Sequence, residues 1–236
     1  MALLSKDGAE FLLRWLHFLS GITWIGLLYY FNFVQGPFFA EADAATKSAA
    51  TQKLVPRALW WFRYSASLTF LTGALIIANR AGARAPGVPV MNQWGVTIFT
   101  GALLGTLMLV NVWGVIWRNQ KIVIASAVAA ASGRQANPAA AAAGRRAFLA
   151  SRTNVVFSIP MLFFMGAATH WPPTQITHLT AYWVAVLVLV ALIELNALTA
   201  TSGITTKPIE KVSGVIITGF VFWAVMYALV KFVLSA

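Results

Sequence analysis

Six long apolar stretches, at about 11–35, 58–79, 92–117, 151–171, 178–199 and 210–234, constrain this chain more than any other feature of it. Each is close to the ~20 residues that a helix needs to cross about 30 Å of hydrocarbon at roughly 1.5 Å per residue. Inside hydrocarbon a backbone must satisfy its own hydrogen bonds, and a single run of this length does so only as a helix. Only 10% of the residues are charged, against roughly 25% in a soluble domain. The pattern therefore predicts an all-α polytopic membrane protein, with six transmembrane helices in one bundle and one domain over residues 1–236. Membrane lipid is then its first partner. The first apolar run carries Glu10 and Arg14 at its start and exceeds the ~7–15 residues of a signal-peptide core, so it is expected to be retained as a helix.

Charge sets the expected orientation. Of the 17 basic residues, one side takes twelve: four in 47–63, six in 118–152, and Lys207 and Lys211. The other side takes Lys6, Arg14, Arg80, Arg84 and Lys231. By the positive-inside rule both termini lie on the extracytoplasmic side. Segment 118–150 is then cytoplasmic, and its Ala139–Ala143 run lies among Arg134, Arg145 and Arg146. It reads either as a helix on the anionic membrane surface or as a linker. The net charge of +11 fits this bias, and without a basic run interleaved with exposed aromatics it predicts no nucleic-acid binding. Ala- and Arg-rich usage points to a bacterial cytoplasmic (inner) membrane.

The chain has no cysteine. Disulfides, iron–sulfur clusters and covalently attached heme are thereby excluded from these residues. Chemistry falls to the three histidines, His17, His170 and His178. In the topology above, all three lie in the outer leaflet or at its boundary, with His170 and His178 flanking an outer loop that holds Pro172 and Pro173. His17 and His170 are the candidate ligands of a heme b iron, or alternatively of copper, which imidazole also suits. A satisfied interhelical histidine is the competing reading for His17, and an interfacial role for His178.

Neighbouring residues serve both readings. Ser20 and Gly21 share the His17 face of the first helix, and Gly166 and Ala167 share the His170 face of the fourth. Such small residues leave room for a flat macrocycle, and equally let helices pack closely. Arg14, one turn from His17, is placed for a heme propionate, as are Arg80 and Arg84; the plain alternative is that they snorkel to the interface. Trp24, seven residues from His17, is placed to flank a cofactor. Glu194 is an intramembrane carboxylate, either a proton acceptor or an ion-pair partner of Arg63 or Arg152.

The run Trp15-Leu16-His17, Ser20-Gly21-Ile22-Thr23-Trp24-Ile25-Gly26 and Tyr29-Tyr30-Phe31 resembles the opening helix of the bacterial cytochrome-c-linked urate oxidases (urate hydroxylases). Further matches to their N-terminal membrane domain are Trp61-Phe62-Arg63-Tyr64, Leu71-Thr72-Gly73, Asn119-Gln120-Lys121, Ala136-Asn137-Pro138, Arg152-Thr153-Asn154, Ile159-Pro160 and Thr169-His170-Trp171-Pro172. The resemblance covers most of residues 10–172 and puts His17 and His170, but not His178, in motif positions. In that family a C-terminal cytochrome c domain follows, so the resemblance implies a separate cytochrome c for a cysteine-free chain. A fainter similarity, His17-x6-Trp24-x-Gly26, is to a heme-biosynthetic membrane protoporphyrinogen oxidase that binds heme b.

Three functions stand open at this point. One is a cytochrome b-like subunit moving electrons between a quinone pool or substrate and an extracytoplasmic cytochrome. The second is a urate- or purine-oxidising membrane enzyme. The third is a non-catalytic subunit anchoring a larger membrane complex.

Overall fold

The computed structural model describes residues 5–83, 92–171 and 175–235. All regular elements among them are helical: α1 (Lys6–Tyr29), α2 (Gly36–Glu41), α3 (Ala44–Lys53), α4 (Val55–Ala83), α5 (Gln93–Val110), α6 (Trp117–Ala131), α7 (Ala140–His170), α8 (Leu179–Thr199), α9 (Lys207–Glu210) and α10 (Val212–Leu229). Short polar side chains start several of them. Ser5 accepts from the Gly8 amide, Asp43 from Thr46 and Asn92 from Gly95, satisfying donors that a helix N-terminus leaves bare.

Three π-helical turns, Tyr30–Gln35, Asn111–Ile116 and Val230–Leu234, carry α1 into α2, α5 into α6, and α10 to its end. A π-turn disturbs the i→i−4 ladder, and each of these has a polar side chain inside or beside it. Asn32 donates back to the Leu28 carbonyl at 2.8 Å, and Asn111 reaches across to two other helices. At the third, the Leu234 carbonyl accepts from the Thr177 amide and hydroxyl at the head of α8.

Five helices among the described residues are long and apolar enough to cross a membrane: Asp7–Glu41, Gln93–Ala131, Ala140–His170, Leu179–Thr199 and Val212–Leu234. The chain is thus a multi-pass helical membrane protein. The second expected span, 58–79, forms as helix within α4 but falls short on apolarity, because Arg63 and a run of Ser, Thr and Tyr dilute it. The expected bounds also move. Segment 118–150 is not separate from the spans: α5 runs on as helix to Ala131, α7 begins at Ala140, and only 132–139 turns between them. At 39 residues the α5–α6 rod is about 58 Å long, well beyond a bilayer core.

Helix α7 is the centre of the bundle. Its buried residues, among them Leu149, Asn154, Phe157, Ser158, Met161 and Phe164, run around its whole girth, as expected of a helix packed on all sides. On α5, Gly101 permits the closest approach, since a Cβ there would sit 3.3 Å from the Met165 amide. Asn154, fully buried, accepts from Asn111 at 3.0 Å and donates to the Met108 carbonyl at 3.0 Å. Helices α8 and α10 lie outside and expose Val184, Leu187, Val188, Leu192, Ile217, Phe220 and Val221, surfaces suited to lipid tails. The pair α1 and α4 is antiparallel and joins α7 through Tyr29–Ser158 (2.9 Å) and Asn32–Ser151 (2.8 Å).

At the start of α7, Arg145 holds the segment before α10, donating to the Thr201 carbonyl at 2.8 Å and to Glu210 at 2.7 Å. That hydrogen bond, with the charge of Arg145, keeps the Glu210 carboxyl below its ordinary pKa. A lowered carboxylate pKa means a contact fully present above the unfolded value and lost as pH falls through the folded one. In Glu-labelled NMR titrations Glu210 should therefore titrate below the ordinary Glu range, and Arg145→Gln should return it there. Asn154→Ala, which removes two buried hydrogen bonds, should lower stability in mixed-micelle unfolding by about 1–2 kcal/mol.

Candidate functional site

The α1/α4 seam carries a ladder of polar side chains. Near the start of α1, Glu10 accepts from Arg14 Nε at 3.0 Å, Arg80 Nε at 3.1 Å and Asn79 Nδ2 at 3.0 Å. Two turns further along, His17 Nδ1 lies 3.2 Å from Thr72 Oγ1. One turn beyond that, Thr69 Oγ1 donates to Ser20 Oγ at 2.9 Å. The spacing 10, 14, 17, 20 keeps these groups on one face of α1, and α4 meets it in reverse order.

The His17 contact favours one tautomer. Thr72 Oγ1 lies 2.7 Å from the Leu68 carbonyl and 3.0 Å from the Thr69 carbonyl. With its proton on either carbonyl its oxygen accepts, Nδ1 carries the hydrogen and Nε2 keeps its lone pair. The Thr69 backbone is also within hydrogen-bond reach of the ring. Gly73 makes the Thr72 contact possible: a Cβ there would sit 3.0 Å from His17 Cε1, so a larger residue would push the ring away.

His170 is the last residue of α7 and is exposed, with no hydrogen bond among the described residues. Its helix end is tied down by Trp171, whose carbonyl accepts from Gln93 and whose ring packs on Phe163 and Tyr227. The Tyr29–Ser158 link shows how the two histidines relate in height. Helices α1 and α7 are antiparallel there, and His17 and His170 are each twelve residues from that link (29 − 17 and 170 − 158). Both therefore lie about 18 Å along their helices from one common level. His178 stands at the head of α8, its amide on the Leu234 carbonyl at 3.3 Å. Among the described residues no three His, Asp or Glu side chains are grouped to hold one metal ion.

The other expected site residues separate. Gly21 faces α4, where a Cβ would rest 3.8 Å from Thr69 Cγ2, whereas at Gly166 a Cβ would meet nothing within 4 Å. Trp24 is 3% exposed and its Nε1 donor is enclosed without an acceptor among the described residues. Arg14 and Arg80 are not free cations but share Glu10, leaving the trio one net positive charge. Arg84, Pro172 and Pro173 lie outside the described residues.

Neither expected ion pair of Glu194 forms. Its Oε2 accepts from Asn111 Nδ2 at 3.1 Å, which joins it to the Asn111–Asn154 link. Arg63 instead lies 3.4 Å over the Trp117 ring and 5.2 Å from that of Trp113. Arg152, 4% exposed, lies 5.0 Å from the Phe148 ring, and its Nε and Nη1 have no acceptor among the described residues. A cation–π contact is worth about 0.5–2 kcal/mol, less than the several kcal/mol that burying an ion costs.

A family model described as urate oxidase N-terminal matches residues 88–229, more than half of the chain. The chain belongs to the urate oxidase N-terminal family. No curated protein and no solved structure matches it. The matched span takes in α5 to α10, with Asn111, Arg152, Asn154, Gly166, His170 and Glu194, while His17 and its seam with α4 lie before it.

Thr72→Val should leave His17 Nδ1 without the Thr72 hydroxyl. In ¹⁵N-imidazole NMR the wild type should show one tautomer with the proton on Nδ1, and the variant a mixture. Gly73→Ala should shift the His17 resonances without loss of fold. An unchanged spectrum in both would show that the seam does not orient the ring.

Proposed function

We propose that this chain is a membrane redox subunit that holds heme b between His17 and His170, with an extracytoplasmic cytochrome as electron partner and a membrane quinone or a substrate on the other side. The observation that carries this reading is the contact of His17 Nδ1 with Thr72, which favours a free lone pair on Nε2. Metal-bound histidines commonly have their second nitrogen fixed in this way. The equal heights of His17 and His170 support a pair, as does the His170 ring, which has no hydrogen bond among the described residues. Open space at Gly166 also suits a bulky group. When bound, heme supplies one-electron transfer.

The chain's own residues do the positioning. Thr72 orients His17, Gly73 gives its ring room, and Glu10 holds Arg14 and Arg80 as a trio with one net positive charge for a carboxylate to meet. Six crossings, with α4 as the sixth and both termini extracytoplasmic, follow from the charge bias and put both histidines toward the outer face of a bacterial inner membrane. α4 is 29 residues long, enough to span, and its Arg63 is shielded by indole rings.

Family membership favours a second reading, in which the chain oxidises urate or a related purine and passes the electrons to a separate cytochrome c. Chain purified after expression with ample heme should show a Soret band and a reduced-minus-oxidised spectrum of a low-spin bis-imidazole b heme. His17→Ala and His170→Ala should each abolish the low-spin form, with external imidazole restoring it. No Soret band in the wild type would reject heme, and heme-independent urate turnover would favour the second reading. Partner assembly unaffected in both variants, with no chromophore lost, would leave only an anchoring role.

A further inference from the structure

A cavity of about 120 Å³ opens between the π-turn that follows α1 and helices α4, α6 and α7. The π-turns at Tyr30–Gln35 and Asn111–Ile116 both contribute to it, through Asn32, Gln35 and Ile116. Its polar lining includes Gln120 and Ser151, and Gln35 Oε1 is an enclosed acceptor without a donor. Two α7 residues in its wall, Phe148 and Ser151, stand one turn and one residue before Arg152.

Arg63, near this cavity on α4, has the Leu59 carbonyl and the Trp117 ring, whereas Arg152 is a buried charge whose Nε and Nη1 meet no acceptor among the described residues. The chain has six carboxylates, and none serves it. Glu10 is taken by Arg14 and Arg80, Glu210 by Arg145, Glu194 by Asn111, and Asp43 caps α3, while Asp7 and Glu41 are exposed. Phe148 offers its ring, but Arg145 lies 5.5 Å from that same ring and adds a second positive charge. A guanidinium does not shed its proton in a protein, so burial demands a counter-anion.

We propose that Arg152 anchors an internal anion site beside this cavity, and that its ligand is a phosphate-type oxyanion carrying a hydroxyl. The oxyanion accepts a charge-assisted hydrogen bond from one of the unmatched guanidinium donors, Nε or Nη1, and the hydroxyl suits the open acceptor of Gln35. Two sources share this chemistry: the headgroup of phosphatidylglycerol, and free hydrogen phosphate entering from water.

The test uses the full chain purified in zwitterionic detergent and stripped of lipid, with thermal unfolding followed against added phosphatidylglycerol or inorganic phosphate, and chloride at equal ionic strength as control. A saturable rise in Tm of several degrees with one of the two is expected. Arg152→Gln should weaken the half-saturating concentration at least tenfold, and Gln35→Ala by a smaller factor. A response to phosphatidylglycerol alone assigns a lipid site; a response to phosphate alone assigns a soluble ligand. Wild-type protein indifferent to both would overturn the proposal, whether or not Arg152→Gln folds. So would equal responses in wild type and Arg152→Gln, or an Arg152→Met variant that melts above the wild type even when the wild type is saturated.

Discussion

The buried amide of Asn154 ties the bundle together. Apolar contacts alone cannot position helices in a bilayer, because lipid tails are as apolar as the side chains they would replace. A hydrogen bond in hydrocarbon does discriminate, since its partners have few alternatives. Asn154 sits on the central helix, donates to the Met108 carbonyl and accepts from Asn111, which in turn reaches Glu194 on α8. One side-chain pair thereby fixes the relative heights of α5, α7 and α8. Shape then completes the assembly, through Gly101 against α7 and Phe157 against Phe222.

Attachment of the α1/α4 pair is different in kind. It is held internally by its own polar seam and meets α7 through Tyr29 and Asn32 at one end. Toward the start of α1, Phe11, Trp15, Phe18, Leu19 and Ile22 are all exposed. These lie on the face of α1 turned away from the His17 seam, while α4 meets the neighbouring rod through Arg80 over the Trp94 ring, Arg63 over Trp117 and the Trp113 indole on Ser67.

Much of this was legible in the sequence because hydropathy and length are local properties. The six stretches all emerge as helix, and the register of His17 with His170 follows from helical rise and alternating direction. What the sequence hid depends on contacts between distant segments. The Ala139–Ala143 run favours helix on its own, but only the packed structure shows it as the first turns of α7 rather than a separate surface element. Glu194 looked like a partner for Arg63 or Arg152 by charge alone, yet indole rings occupy Arg63 and an asparagine occupies Glu194. Thr72 and Gly73 stand in a stretch that resembles the urate oxidase membrane domain, but their effect on one imidazole nitrogen needed coordinates. The family match begins at residue 88, so the seam that orients His17 rests on the geometry of this chain itself.

The π-helical turn at Asn111 has one more implication. Such a turn holds one residue more than an α-helix over the same height, so it works as a built-in insertion whose twist is absorbed on the spot. Losing that residue would let α5 and α6 run on as ordinary α-helix and keep the basic far end facing as it does now. The side chain at 111 would meanwhile swing away from Asn154 and Glu194. A single codon deletion would thus cut the internal tie while sparing the outline of the molecule.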